Sequence, residues 1–94
     1  MTSNSIIRQH ITFTGSVQGV GFRYRAHHAA DLYGCTGWVR NEYDGSVTME
    51  IQGTQEQINE VVAEIDRDPY IRIERMKTSW LDPVPDERGF RVRH

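Results

Sequence analysis

The sequence predicts an α+β fold: an antiparallel sheet covered on one face by two helices, in a split βαβ order with a short extra strand near its C-terminal end. Two patterns predict it. Apolar residues alternate with polar ones through residues 6–14 and 47–52, the period of a half-buried strand, whereas residues 22–33 and 58–65 repeat at helical spacing. Turn and cap signals separate these runs, and no repeat, low-complexity segment or interior linker interrupts them.

In residues 6–14, Ile7, Ile11 and Phe13 fall on one face and Arg8, His10, Thr12 and Thr14 on the other, as a strand with one buried side requires. Phe22, Ala26, Ala29, Ala30 and Tyr33 then form one helical stripe, whose alanines allow close approach to a sheet; Gly34 is placed as its C-terminal cap. Residues 36–41 read as extended. Glu42-Tyr43-Asp44-Gly45 supplies hairpin-turn chemistry, after which Val47, Met49 and Ile51 alternate with Thr48, Glu50 and Gln52 until Gly53. Thr54 and Gln57 make a capping box for a second helix, Ile58, Val61, Val62 and Ile65 are its apolar stripe, and Asp68-Pro69 stops it. Residues 70–80 read as a strand with an irregularity before Met76, residues 81–89 as a loop, and residues 90–94 as a short final strand.

A length of 94 residues suits one domain, taken as residues 1–94, and 37% hydrophobic with 26% charged residues is the composition of an ordinary globular chain. The formal net charge of −2 argues against a general nucleic-acid or membrane binder, for which a basic excess is expected. Cys35 is the single cysteine, so no internal disulfide calls for an oxidising compartment. No apolar run reaches bilayer-spanning length, and the polar residues 1–5 lead into no signal-peptide segment. The expectation is a cytoplasmic protein, working as a monomer.

Chemistry concentrates in Gly15-Ser16-Val17-Gln18-Gly19-Val20-Gly21-Phe22-Arg23. This glycine-bearing turn joins a strand to a helix start, where backbone N–H groups and the positive end of the helix dipole suit a phosphate-like anion. Arg23 adds a planar, permanently charged fork matched to phosphate oxygens. The spacing is neither the Walker loop nor the dinucleotide fingerprint. Strand parity supplies a partner: if Val39 faces the helices, so does Asn41, at the strand end where the cover runs out, while Trp38 and Arg40 face the other way. An amide there orients a water without titrating.

Taken together, these residues resemble the acylphosphatase family. Its first motif, G-x-V-Q-G-V-x-[FY]-R, is matched from Gly15 to Arg23, and its second at Gly37-Trp38-Val39-Arg40-Asn41, Gly45, Val47 and Gly53. The resemblance covers essentially the whole chain and implies the ferredoxin-like fold with its βαββαβ order. It also implies hydrolysis of acyl phosphates to carboxylate and inorganic phosphate, without metal or other cofactor. On that resemblance Arg23 binds the phosphoryl group, Asn41 orients the attacking water, and the backbone from Ser16 to Val20, with Gly15, Val17, Gln18 and Gly19, forms the substrate cradle. The expected partner is a small-molecule acyl phosphate, with no nucleic acid and no membrane.

Two rivals stand beside this reading. One is an accessory use of the same module, as in the acylphosphatase-like segment of larger carbamoyl-transfer maturation proteins, against which the shortness of the chain argues. The other is a non-enzymatic ferredoxin-like binding module for RNA or a small anionic effector, against which the missing aromatic-rich RNA signature argues. His27 and His28 diverge by about 100° on a helix and read as surface or packing residues. Cys35 lacks an evident base. Trp38 and Trp80 read as packing groups, and Arg91 and Arg93 as an exposed face.

Overall fold

The elements follow one another as β1 (Ile7–Ser16), α1 (Phe22–Tyr33), β2 (Thr36–Asn41), β3 (Val47–Gly53), α2 (Gln55–Asp66), β4 (Arg72–Leu81) and β5 (Phe90–Arg93) in a computed structural model. It describes residues 5–94; the polar residues 1–4 lie outside the described residues. The strands join in one sheet of order β4-β1-β3-β2-β5. The first four pair antiparallel, as the split βαβ order requires, but β5 runs parallel to β2, so the sheet as a whole is mixed. Alternation alone told which faces β5 has; it carried nothing about which neighbour it would take.

Register places the predicted apolar faces in one layer. Ile11 stands opposite Met49, Phe13 opposite Val47, and Val39 opposite Met49. Ala26, Ala29 and Ala30 of α1 and Ile58, Val61 and Ile65 of α2 close over them in a single core cluster. The capping box of α2 is present in full: Gln57 N–H donates to Thr54 Oγ1 at 3.2 Å and Thr54 N–H to Gln57 Oε1 at 2.9 Å. The expected irregularity before Met76 is a bulge, since Thr14 pairs with Arg75 while Gly15 pairs with Ile73, leaving Glu74 as the extra residue. Gly15 belongs there because a Cβ would stand 2.2 Å from the Arg72 carbonyl oxygen.

The face away from the helices was expected to be open, yet Arg8 on it is 3% exposed. Topology explains this. β4 and β5 lie at opposite edges, so residues 82–89 must cross the sheet, and they cross on this face. The Gln52 amide accepts from Val84 N–H at 2.8 Å and donates to the Val84 carbonyl at 3.0 Å. Arg8 donates to Glu87 at 2.8 Å and to Glu50 at 3.1 Å, and His10 Nδ1 lies 2.9 Å from the other Glu50 oxygen. Trp38, next to them, is flanked by the guanidinium carbons of Arg93 at 4.6 Å and Arg40 at 5.1 Å, and it packs as expected. Trp80 does not: it is 63% exposed, because β4 is an edge strand. Arg91 and Arg93 are exposed as expected. Among the described residues no helix is long and apolar enough to cross a membrane.

Burial by itself would raise the Glu50 carboxyl, but hydrogen bonds from His10 and Arg8, with the charge of Arg8, outweigh it and hold that carboxyl below the usual range. Such a group stabilises the fold above its unfolded titration near pH ~4.3, and that contribution disappears as pH falls through the lower folded value. Arg8→Met is therefore expected to cost about 2–4 kcal/mol at neutral pH, by stranding two carboxylates. The gap from wild type should shrink below pH ~4, as urea unfolding curves across pH will show.

Candidate functional site

The first turn of α1 leaves the positive end of its helix dipole unopposed. It carries no acidic residue, and no side chain caps it, because Gly21 occupies the N-cap. Arg23 sits in that turn. Arg25 nearby pairs with Asp68 at 3.1 Å, whereas Arg23 meets no carboxylate among the described residues. The turn cannot drift, because Phe22 is fully buried with its ring centroid 4.9 Å from that of Phe13 on β1.

A cleft of about 200 Å³ opens in front of this turn, lined by Val17, Gly19, Gly21, Phe22, Arg23, Tyr24 and Asn41. Of the residues predicted from the sequence, Val17, Gly19, Arg23 and Asn41 thus come together. Asn41 reaches the cleft as parity required: Val39 is fully buried under the helices, and two residues on Asn41 ends β2. Its side-chain amide has no hydrogen-bond partner among the described residues. The backbone N–H groups of Gln18, Gly19 and Val20 also donate to no protein acceptor among them. Gly19 holds φ of 73°, where a side chain is strained, although no protein atom lies within 4 Å of the place a Cβ would take. Backbone conformation, not protein crowding, asks for glycine there.

Gly15, Ser16, Gln18 and Val20 do not line the cleft. Gly15 and Ser16 are the end of β1, paired with Ile73 and Arg72. Val20 packs against the core. Gln18 points instead to the hairpin that follows β2. Its amide donates to the carbonyl oxygens of Glu42 at 2.7 Å and Ser46 at 2.8 Å, in the turn that follows Asn41. Those carbonyls also accept within the turn, from Gly45 and Glu42 N–H groups. The glycine loop and the hairpin carrying Asn41 are therefore bolted together through a contact 24 residues apart in sequence. Nothing local in the chain could have announced it.

Carboxylates around the hairpin are occupied elsewhere. Hydrogen bonds from Thr48 and then Arg40 hold the Glu42 carboxyl below the usual range, and hydrogen bonds from Ser46 do the same for Asp44. Cys35 is buried, and burial pushes its thiol up to about 11, so it offers no thiolate at neutral pH. His27 lies 3.5 Å from Asp31 while His28 stacks on Tyr24, so the two histidines diverge as expected. Among the described residues, no three His, Cys, Asp or Glu side chains converge on a point where a metal ion would sit.

The family model described as acylphosphatase matches residues 9–92. An acylphosphatase of Bifidobacterium longum is 45% identical over 94 residues, covering 97% of this chain and 96% of that one. The crystal structure of acylphosphatase from Bacillus subtilis superposes with a TM-score of 0.85 at 26% identity, covering 94% of this chain and 99% of that one. Full-length HypF in its phosphate- and nucleotide-bound form matches with a TM-score of 0.83 at 26% identity, over 96% of this chain but 12% of its own.

The Gln18 clamp generates a test. Gln18→Ala should cost about 1–3 kcal/mol, and amide hydrogen exchange should accelerate in both residues 17–20 and residues 42–46. Acceleration in the loop alone would show that the hairpin does not depend on the clamp.

Proposed function

The chain belongs to the acylphosphatase family and is an enzyme of that kind, and we propose that its reaction runs in the cleft shared by Arg23 and Asn41. A single observation carries this assignment: an arginine without a carboxylate partner, in a helix turn without acidic residues, lines the same small cleft as a strand-end amide without a partner. One group suits a phosphoryl dianion and the other a neutral water.

The substrate is an acyl phosphate, RCO–OPO₃²⁻. Arg23 and the free N–H group of Gly19, both at the cleft, receive the phosphoryl oxygens. The Asn41 carbonyl oxygen accepts a hydrogen bond from water and aims its oxygen at phosphorus. The new P–O bond forms as the P–O bond to the acyl group breaks, its electron pair leaves on the carboxylate, and both water protons stay with phosphate, giving RCOO⁻ and H₂PO₄⁻. A carboxylate titrates near ~4, so it departs at neutral pH without a general acid. Asn41 does not titrate, so it acts by placement rather than proton removal. Charge that spreads over the phosphoryl oxygens meets donors already in position, the usual main source of acceleration in phosphoryl transfer. Neither the leaving group nor the nucleophile requires a metal.

The enzyme acts as a monomer in the cytosol on a small-molecule substrate. The lone buried thiol and the net charge of −2 support that reading.

Phosphate release from benzoyl phosphate, assayed with EDTA present, tests the assignment. Wild type should turn over. Asn41→Ala should lower kcat about 10²–10³-fold while inorganic phosphate still competes, and Arg23→Gln should lose at least about 10³-fold in kcat/KM and weaken phosphate inhibition as well. A folded wild type without activity would sink the enzyme reading; full turnover by Asn41→Ala would remove the water-positioning role alone.

A further inference from the structure

Tyr24 is the one large side chain lining the cleft to which the reaction so far gives no task. Gly19, Arg23 and Asn41 serve the phosphoryl group and the water, while Val17 and Phe22 are 1% and 2% exposed, so their side chains belong to the core. Tyr24 lines the same cleft and is 68% exposed. Its ring is not loose. One helical turn on, His28 stacks against it, with ring centroids 5.4 Å apart and the planes inclined by 26°. One face of Tyr24 is thereby backed, and the exposure of the residue leaves the other open. Tyr43, Tyr70 and Trp80 are exposed as well, but among the described residues none of them lines the cleft or stacks on a second ring.

We propose that Tyr24 determines substrate specificity as the platform for the acyl group, and that it selects acyl phosphates whose acyl group is aromatic. The proposal rests on the assignment of Arg23 to the phosphoryl group and goes further by naming the substrate class. In-line displacement sends the acyl group away from the attacking water. Tyr24 shares the cleft with the phosphoryl site, so it is the apolar surface available to a group bonded to that phosphoryl. A flat aromatic acyl group covers the open face of the ring, and both surfaces leave water. An acetyl group has little to cover it with. A ring already stacked on His28 loses less freedom on binding than a solitary one. The contact is made in the bound substrate and the transition state alike, so it lowers KM and leaves kcat nearly alone.

The experiment measures KM and kcat for benzoyl phosphate and for acetyl phosphate with wild type, Tyr24→Ala, Tyr24→Phe and Arg23→Gln. In wild type the KM for acetyl phosphate should exceed that for benzoyl phosphate at least about tenfold, the size of one aromatic contact. Tyr24→Ala should shrink that ratio about fivefold or more, chiefly by raising KM for benzoyl phosphate. Tyr24→Phe keeps the ring and should hold the ratio within about twofold of wild type. A cleft merely disturbed by truncation would lose both substrates together and keep the ratio. Alanine favours an exposed helix position, so the variant stays folded, as circular dichroism will verify. The proposal is overturned if wild type does not distinguish the two substrates, if Tyr24→Ala keeps the wild-type ratio, or if Tyr24→Phe loses it as Tyr24→Ala does. Arg23→Gln should lose turnover of both substrates. If it turns over both like wild type, the assignment of Arg23 has failed, and the role of Tyr24 with it.

Discussion

Positive charge that the protein leaves unneutralised is the constraint on which the rest of this structure depends. The first turn of α1 combines a helix dipole, free backbone N–H groups and Arg23, without one acidic residue to offset them. Left alone, such a concentration would either swing the arginine out to solvent or draw in a neighbouring carboxylate. Packing prevents drift of the turn, since Phe22 is locked against Phe13 in the core. Prior engagement removes the carboxylates: Asp68 is paired with Arg25, and Glu42 with Arg40.

Holding two chain segments at a fixed spacing is the second demand of the proposed reaction, in which a positioned water is useful only if it faces the phosphorus. A loop and a hairpin, left to themselves, are the most mobile parts of a small fold. Here one amide, Gln18, joins them through two backbone carbonyls that also close the hairpin turn. On the far side of the sheet, the Arg8–Glu50–Glu87 network pins the crossing segment that leads to β5. That network is remote from the cleft, yet β5 and the residue after it carry the acceptors behind Arg23, so sheet-face electrostatics and the site are connected through the chain path.

How much of this was legible in the sequence follows from the range of each interaction. Period-2 alternation and helical stripes are local, and they located β1, β3, α1 and α2 to within a residue or two. Parity is local as well, and it places Asn41 on the side of Arg23. The bulge at Glu74 showed as a break in alternation before Met76. What escaped was set by contacts far apart along the chain: the Gln18 clamp, the burial of Arg8 by Glu87 at a separation of 79 residues, and the parallel seating of β5. Each is chosen by topology, which the pattern of one segment does not encode. Trp80 escaped for a related reason. Its aromatic side chain looked like a core group, and only the strand order reveals that β4 has no neighbour on its outer edge.

The nature of the groups around Arg23 completes the argument. A cation in a protein is most simply ordered by a carboxylate, as Arg25 is by Asp68. That solution suits poorly a residue proposed to receive a dianion, because the ion pair would have to break, or remain and repel the ligand, each time substrate arrived. The Arg93 carbonyl and the His94 imidazole, which accept from Arg23 here, avoid the conflict: they satisfy donor geometry and leave the net charge intact. The same logic accounts for an amide at Asn41 instead of a carboxylate. Aspartate there would hold a water equally well, but it would set a negative charge in a cleft of about 200 Å³ that is otherwise built to accept one. Neutral polar groups at both places add no negative charge to so small a cleft.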